Sequence, residues 1–348
     1  MSAPVRAMLV GLGARGRYWA RVMHDEPGCE LVAYVDPSQD ALEFADASFG
    51  ARPGFASLEA ALAAIDGVEA LVLATPPHGR EAQLHLACER ALPVLVEKPL
   101  ALDLDEAARF VALAESAGVP LMVGLNFRYL AVTLERLRLY REGVVGQPAF
   151  TRFTYERWRD GYRPGINRYP LTMTHPMLWE QSIHHFDLLR FVYAREPETV
   201  ACHAWNPPWS MYAHETNVAA LFGFEGGLVA NYQGTWQSHW STPGFTWRTD
   251  CSDGVVMQFD QFGDLRYARR DDAALSTVAL PPHETWVTET AALLRAFLAT
   301  LRDGAPLACS GRDHLASLAM VEACIRASRD ARVVDVREVL HEATEVAA

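Results

Sequence analysis

The segment Gly11-Leu12-Gly13-Ala14-Arg15-Gly16 constrains this chain more than any other. It has the form G-x-G-x-x-G. An apolar, strand-like run over Val5–Val10 leads into it, and a helical stretch beginning near Arg17 leads out. The next apolar run, Leu31–Val35, ends in Asp36, twenty residues beyond Gly16. Six residues of this form are a weak signal alone, but strand, turn, helix and acidic residue in this order form a dinucleotide-binding unit. The first glycine permits a tight turn. The second lets the backbone approach a pyrophosphate, and the third allows close helix–strand packing. A helix N-terminus adds unpaired N–H groups and a partial positive charge. Gly11, Gly13, Ala14, Arg15 and Gly16 are therefore the expected phosphate turn, with Asp36 accepting hydrogen bonds from ribose hydroxyls. Asp36 also repels a 2′-phosphate, and Pro37-Ser38-Gln39 brings no cation to receive one. NAD is expected over NADP. Arg15 is read either as a phosphate contact or as a solvated loop arginine.

Short apolar runs recur at Ala70–Ala74, Val94–Val96 and Leu121–Val123, between Ala-rich helical stretches at Leu58–Ile65, Glu81–Ala91 and Asp105–Ala117. Apolar strands alternating with helices predict a parallel sheet covered on both faces. After residue 145 the character changes to aromatic strands. Val218–Phe224 and Leu228–Trp236 flank Glu225-Gly226-Gly227 as a hairpin, with further strands at Phe150–Tyr155, Thr246–Thr249, Val255–Phe259 and Leu265–Tyr267. Two late helices are expected near Glu284–Arg302 and Asp313–Ser328, and Tyr129–Arg141 reads as a connecting helix. The expected fold class is α/β: a Rossmann domain over 1–125, then an α/β domain over 126–348 with a large, mostly antiparallel open sheet.

The chain of 348 residues carries 31 basic and 43 acidic groups, a net charge of −12. That excludes a surface built as a whole to grip nucleic acid or anionic membrane. No apolar run reaches the roughly 18–20 residues of a membrane span. The run Ala7 to Leu12 enters a Gly-rich turn without a convincing cleavage site, so it reads as a buried strand rather than a signal peptide. Six scattered cysteines lack C-x-x-C spacing. The expectation is a cytoplasmic protein without a disulfide framework or structural zinc.

Glu97-Lys98-Pro99 ends the strand Val94–Val96. At the carboxyl end of a parallel strand Lys98 faces the cofactor crevice, where it can donate to a substrate oxygen. The alternative is an ordinary lysine entering a loop. Glu180–Arg190 reads as a helix, with Glu180, His184 and Asp187 at i, i+4 and i+7 on one face. A carboxylate one turn from an imidazole can orient it for acid/base work. The other reading is a polar helix face. With no H-E-x-x-H, no metal is expected.

Taken in order, the fingerprint, Glu97-Lys98-Pro99 and the His184-His185-x-Asp187 helix resemble the Gfo/Idh/MocA family, the glucose–fructose oxidoreductase and inositol dehydrogenase group. The resemblance covers nearly the whole chain and includes Ala74-Thr75-Pro76-Pro77, Gly124-Leu125-Asn126-Phe127-Arg128-Tyr129, and the late helix Ser310–Arg329 followed by a short strand. It implies NAD(P)-dependent hydride transfer at a carbinol carbon of a sugar, inositol or polyol. It also implies oligomerisation through the open sheet, as a homodimer or homotetramer. The family's lysine falls on Lys98 and its catalytic histidine on His184; Thr75, Pro76 and Glu97 join the expected cofactor contacts. Glu180 stands where the family usually has aspartate, and Pro77 and Arg80 where many members have asparagine and histidine.

Five arginines (Arg152, Arg157, Arg159, Arg163, Arg168) fall within seventeen residues, interleaved with Tyr155, Trp158, Tyr162 and Tyr169. Arginines suit anionic substrate groups and aromatic faces suit sugar rings. The alternative places these arginines in solvent or at an oligomer interface. The expected substrate contacts are Lys98, Arg128, Tyr155, Arg157, His184 and His185, with Lys98, His184 and Glu180 catalytic and a neutral or acidic sugar as ligand. Trp236, His239 and Trp240 could wall the pocket; His175 and His214 have no assigned role. Two other readings stay open: glycoside cleavage through transient oxidation, elimination and re-reduction, and a non-catalytic sensor of dinucleotide and sugar.

Overall fold

The computed structural model describes residues 3–161, 168–238 and 244–347. The chain divides into two compact units. One comprises Met1–Tyr129, Glu284–Leu315 and Thr344–Ala348; the other comprises Leu130–His283 and Ala316–Ala343.

The first unit alternates strand and helix: β1 (Val5–Val10), α1 (Ala14–Asp25), β2 (Cys29–Val35), α2 (Gln39–Phe49), β3 (Gly54–Phe55), α3 (Leu58–Ala64), β4 (Ala70–Leu73), α4 (Arg80–Glu89), β5 (Val94–Glu97), α5 (Leu104–Ser116) and β6 (Leu121–Gly124). The sheet order is β3-β2-β1-β4-β5-β6, with every pair parallel. This is the order of a doubly wound dinucleotide-binding sheet, whose ligand crevice opens where the order reverses, between β1 and β4. Every residue of β4, β5 and β6 is buried, which explains their apolar sequences up to Glu97 at the end of β5. Side chains of Ser38, Ser57 and Asp103 cap α2, α3 and α5. The pair α2 and β3 escapes the apolar pattern because α2 buries only Leu42 and Ala45.

The second unit contains α6 (Ala131–Arg141), β7 (Pro148–Glu156), α7 (Ile183–Tyr193), β8 (Pro197–Trp205), β9 (Asn217–Phe224), β10 (Val229–Thr235), β11 (Gly244–Cys251), β12 (Gly254–Asp260), β13 (Gly263–Arg269) and β14 (Ser276–Thr277). The chain then returns to the first unit with α8 (Thr288–Asp303), which packs on α1 and on a 3₁₀ turn at Asn126–Tyr129. It ends with α9 (Gly311–Asp330), β15 (Val334–Asp335) and α10 (Val336–Ala347).

The nine-stranded sheet of the second unit runs β14-β13-β12-β11-β7-β10-β9-β8-β15. All its pairs are antiparallel except β7 with β10. Its covered face is aromatic: Phe153, Phe222, Tyr232 and Trp247 are buried there, with Phe186 of α7 packed edge-on to Phe222 and Tyr232. The strand β8 escaped the sequence reading because its inward residues, Val200, Cys202 and Ala204, make a short and weakly apolar alternation.

The helix expected over Glu180–Arg190 needs correction. Met177–Ser182 forms a widened π-helical turn, and the α-helix begins only at Ile183. The angular relation between Glu180 and His184 is therefore not that of an α-helical i, i+4 pair. Gly234 of β10 lies beneath this turn, where a Cβ would collide with the Met177 side chain. Side-chain periodicity does not encode that close approach.

Candidate active site

In the first unit the three glycines do three different jobs. Gly11 has φ +93°, and a Cβ there would stand 2.9 Å from the Ala74 backbone. A Cβ on Gly16 would overlap the Gly11 carbonyl. Gly13 is the opposite case: nothing lies within 4 Å of where its Cβ would be. It is the N-cap of α1, and no side chain caps the helix. The backbone there is bare on its outer side, and the first amides of a twelve-residue helix follow it. Those features fit a dinucleotide pyrophosphate. Asp36 closes the turn from the other side: Oδ2 accepts from Leu12 N at 2.7 Å and Oδ1 from Ser38 N at 2.9 Å.

Arg15 points back beneath the helix. Its Nε and Nη2 donate to Glu97 Oε1 at 3.1 and 2.8 Å, and Trp19 Nε1 donates to the same oxygen at 2.7 Å. Burial would push the Glu97 carboxyl up, but Arg15, Trp19 and Lys98 outweigh it and hold the group below the usual carboxylate range. The expected contacts Arg15 and Glu97 thus meet each other, 82 residues apart in sequence, and fasten the fingerprint helix to the end of β5. Lys98 follows, half-buried, with a cis peptide bond to Pro99.

Arg80 is 1 % exposed. Its guanidinium donates to the carbonyls of Pro99, Leu100 (3.2 Å) and Thr75 (2.6 Å), tying the loop after β4 to the loop after β5. Thr75 Oγ1 donates to Gln83 at 2.9 Å, and Pro76 follows it in the same loop. Arg128 was expected to meet substrate. Its guanidinium holds the Ala308 carbonyl at 3.1 Å and Asp313 at 2.6 Å.

In the second unit His184 is buried in the first turn of α7, and Glu180 is half-exposed on the π-helical turn before it. Asp187 accepts from Ser317 Oγ at 2.9 Å. Arg190, on the same helix, donates to that Ser317 at 2.9 Å and pairs with Glu196. Tyr155 Oη donates to Gln181 Oε1 at 3.0 Å. Burial pushes this phenol up, while Arg157 and Arg159 at its rim pull the other way. His185 was expected at the substrate. It is 1 % exposed, and both of its ring nitrogens are engaged internally, by Gln181 and Tyr232.

Arg159 lies over the Trp236 ring at 4.4 Å. His175 Nδ1 meets Glu215 at 2.9 Å, with the His214 ring 6.1 Å away. Tyr162, Arg163, His239 and Trp240 lie outside the described residues. Sequence reasoning missed Trp19, Gln181, Tyr232 and Ser317, and the anchoring role of Arg80. Only Trp19 had a local signal, standing at i+4 from Arg15 on one helix face.

Residues 5–125 match the model of an oxidoreductase family with an NAD-binding Rossmann fold, and residues 135–257 match the GFO/IDH/MocA C-terminal domain. The chain is 28% identical to D-apiose dehydrogenase of Paraburkholderia graminis, over 98% of this chain and 92% of the relative. It is 24% identical to inositol 2-dehydrogenase of Rhizobium meliloti, over 95% and 99%. An oxidoreductase from Agrobacterium radiobacter, solved with NAD+, L-tartaric acid and magnesium, shares the fold with a TM-score of 0.86 at 21% identity, over 96% of this chain and 99% of that one. With the open glycine turn, the parallel sheet and both domain matches in agreement, the chain belongs to the Gfo/Idh/MocA family of NAD-binding oxidoreductases.

Proposed function

We propose that this chain is an NAD-dependent dehydrogenase or reductase acting on a carbinol carbon of a sugar, inositol or related polyol. The observation that carries the reading is its near-full-length likeness to dehydrogenases of apiose and inositol. The first unit supports it with a glycine turn whose bare backbone fits a pyrophosphate. When bound, NAD supplies the hydride acceptor. The protein supplies position and electrostatics.

Ala14, Arg15 and Gly16 N–H groups hold the phosphates, Asp36 receives the ribose hydroxyls, and Thr75 and Pro76 border the nicotinamide side. Lys98 donates to the reacting oxygen and so favours its anionic form. His184 takes the hydroxyl proton in oxidation and returns it in reduction, with Glu180 orienting the ring. Arg157, at the rim of the buried Tyr155, suits a sugar bearing a carboxylate or phosphate. The exposed Trp205 and Leu221 on the outer sheet face suit a homodimer or homotetramer.

The test is NADH absorbance on purified protein with NAD and a panel of neutral sugars, inositols, acidic sugars and glycosides, with product analysis. NADH growth matched by oxidised product is expected. Lys98→Met should keep NAD binding and depress turnover. Product formed without NADH would replace this reading with a redox-neutral glycoside cleavage.

A further inference from the structure

The π-helical turn Met177–Ser182 stands immediately before the helix that carries His184. Such a turn is less favourable than α-helix and persists where something holds it. Here the restraint is a chain of buried hydrogen bonds. Tyr155 Oη donates to Gln181 Oε1 at 3.0 Å. The Gln181 amide nitrogen lies 3.2 Å from His185 Nε2. An amide nitrogen can only donate, so Nε2 accepts and the proton of a neutral ring sits on Nδ1. That Nδ1 is 2.9 Å from Tyr232 Oη, to which it donates. Tyr232 Oη also hydrogen-bonds Ser182 Oγ at 2.9 Å, and either hydroxyl can donate. This tautomer follows from the orientation of the Gln181 amide, whose oxygen faces Tyr155 and whose nitrogen faces His185.

The relay reaches two neighbouring strands. Tyr155 belongs to β7 and Tyr232 to β10, and those strands form the sheet's parallel pair. The His185 ring is flanked by Phe153 and Tyr155, with centroids 4.7 and 4.8 Å away. Gly234 completes the arrangement, because a side chain there would collide with both Met177 and Tyr232. His184 lies between Ser182 and His185, two residues that the relay clips to the sheet. The backbone that carries the His184 ring is therefore held from both sides.

We propose that Gln181, His185 and Tyr232 are positioning residues for the reaction at His184, a neutral relay that bolts the π-helical turn to β7 and β10 and fixes the backbone from which the His184 ring projects. The inference rests on the reading of His184 as the acid/base group. It also separates the two adjacent histidines: His184 titrates in the reaction, and His185 stays neutral as a linker.

The experiment uses full-length enzyme and the best substrate of the panel above. The variants are Tyr232→Phe, His185→Leu, His185→Asn and His184→Asn. In His185→Asn the new side-chain amide can donate where the imidazole Nδ1–H did. Misplacement on the scale of an ångström lowers turnover about a hundredfold. Tyr232→Phe and His185→Leu should therefore lower kcat by about tenfold to a hundredfold with NAD binding unchanged, and His185→Asn should recover most of the loss. Nitrogen NMR of the wild-type protein, with His185 assigned by difference from His185→Asn, should show a neutral ring protonated on Nδ1 from about pH 6 to pH 8. A His185 that titrates in that range, or carries its proton on Nε2, overturns the relay. If His184→Asn abolishes turnover while Tyr232→Phe and His185→Leu stay within about twofold of wild type, the relay is wrong and the reading of His184 stands. If His184→Asn leaves kcat intact, that reading of His184 fails, and the relay's catalytic role fails with it.

Discussion

Gly13 and Gly16 occupy one turn, yet alanine at the two positions should have opposite consequences. At Gly13 the backbone angles are φ −63° and ψ −167°, which any L-residue adopts. A Cβ there meets nothing within 4 Å. Two small effects on folding then compete. Alanine is a poorer N-cap than glycine by several tenths of a kcal/mol. It also removes backbone freedom from the unfolded chain, a gain of about 0.4–1 kcal/mol. The net should lie within about 0.5 kcal/mol of zero, moving Tm by about 1 °C. Binding should not escape so lightly, because the added methyl stands where a pyrophosphate must approach the backbone. A tenfold loss of NAD affinity corresponds to about 1.4 kcal/mol, and Gly13→Ala should lose at least that. At Gly16 the Cβ would overlap the Gly11 carbonyl, a backbone atom that cannot swing aside. Gly16→Ala should therefore destabilise the fold itself by about 3 kcal/mol. Thermal unfolding without ligand and calorimetric titration with NAD separate the two. A Gly13→Ala protein that binds NAD as wild type does would refute the assignment of this turn to the pyrophosphate. One that is strongly destabilised would refute the folding argument.

Two further outcomes follow from buried polar groups. Glu97→Gln leaves Arg15 without its counter-charge and should cost about 3 kcal/mol at neutral pH. The folded-state pKa of Glu97 is depressed, so its contribution is present above its unfolded value near 4.5 and is lost as pH falls below that. The stability gap between wild type and Glu97→Gln, followed by denaturant unfolding, should therefore narrow on acidification below about pH 4.5; a constant gap would contradict the pairing. Arg80→Ala strips donors from the carbonyls of Thr75, Pro99 and Leu100 and should destabilise by about 2–4 kcal/mol. Loosening the two loops should also raise KM for NAD, and an unchanged Tm would show that the clamp is dispensable.

Much of the first unit was legible because its signals are local. A glycine spacing, an apolar strand and an acidic residue twenty positions on are neighbours in sequence as well as in space, so Gly11, Gly13, Gly16 and Asp36 could be read together. The hairpin at Glu225–Gly227 was legible for the same reason, since its turn demands left-handed glycines, with φ of +71° and +80°. Family resemblance pointed to Lys98 and His184, but not to what surrounds them. The bond from Arg15 to Glu97 spans 82 residues, that from His185 to Tyr232 spans 47, and that from Ser317 to Asp187 spans 130. Periodicity shows which face of an element is apolar. It does not say which distant polar group will be desolvated beside it and so require a partner.

The widened turn before His184 shows the division most clearly. From Glu180 on its sequence reads as plain helix, and nothing within Met177–Ser182 announces an extra residue. Gly234 lies beneath it without a side chain, and Tyr155 and Tyr232 hydrogen-bond Gln181 and Ser182 from two strands. By itself the sequence determined the dinucleotide turn, the parallel sheet and the residue types available for hydride chemistry, because these follow from local sterics and short-range patterning. Only the tertiary structure decided that Arg15 braces Glu97, that Arg128 anchors Asp313 and that His185 faces inward. Those outcomes depend on which groups lose water together, and burial is a property of the assembled chain.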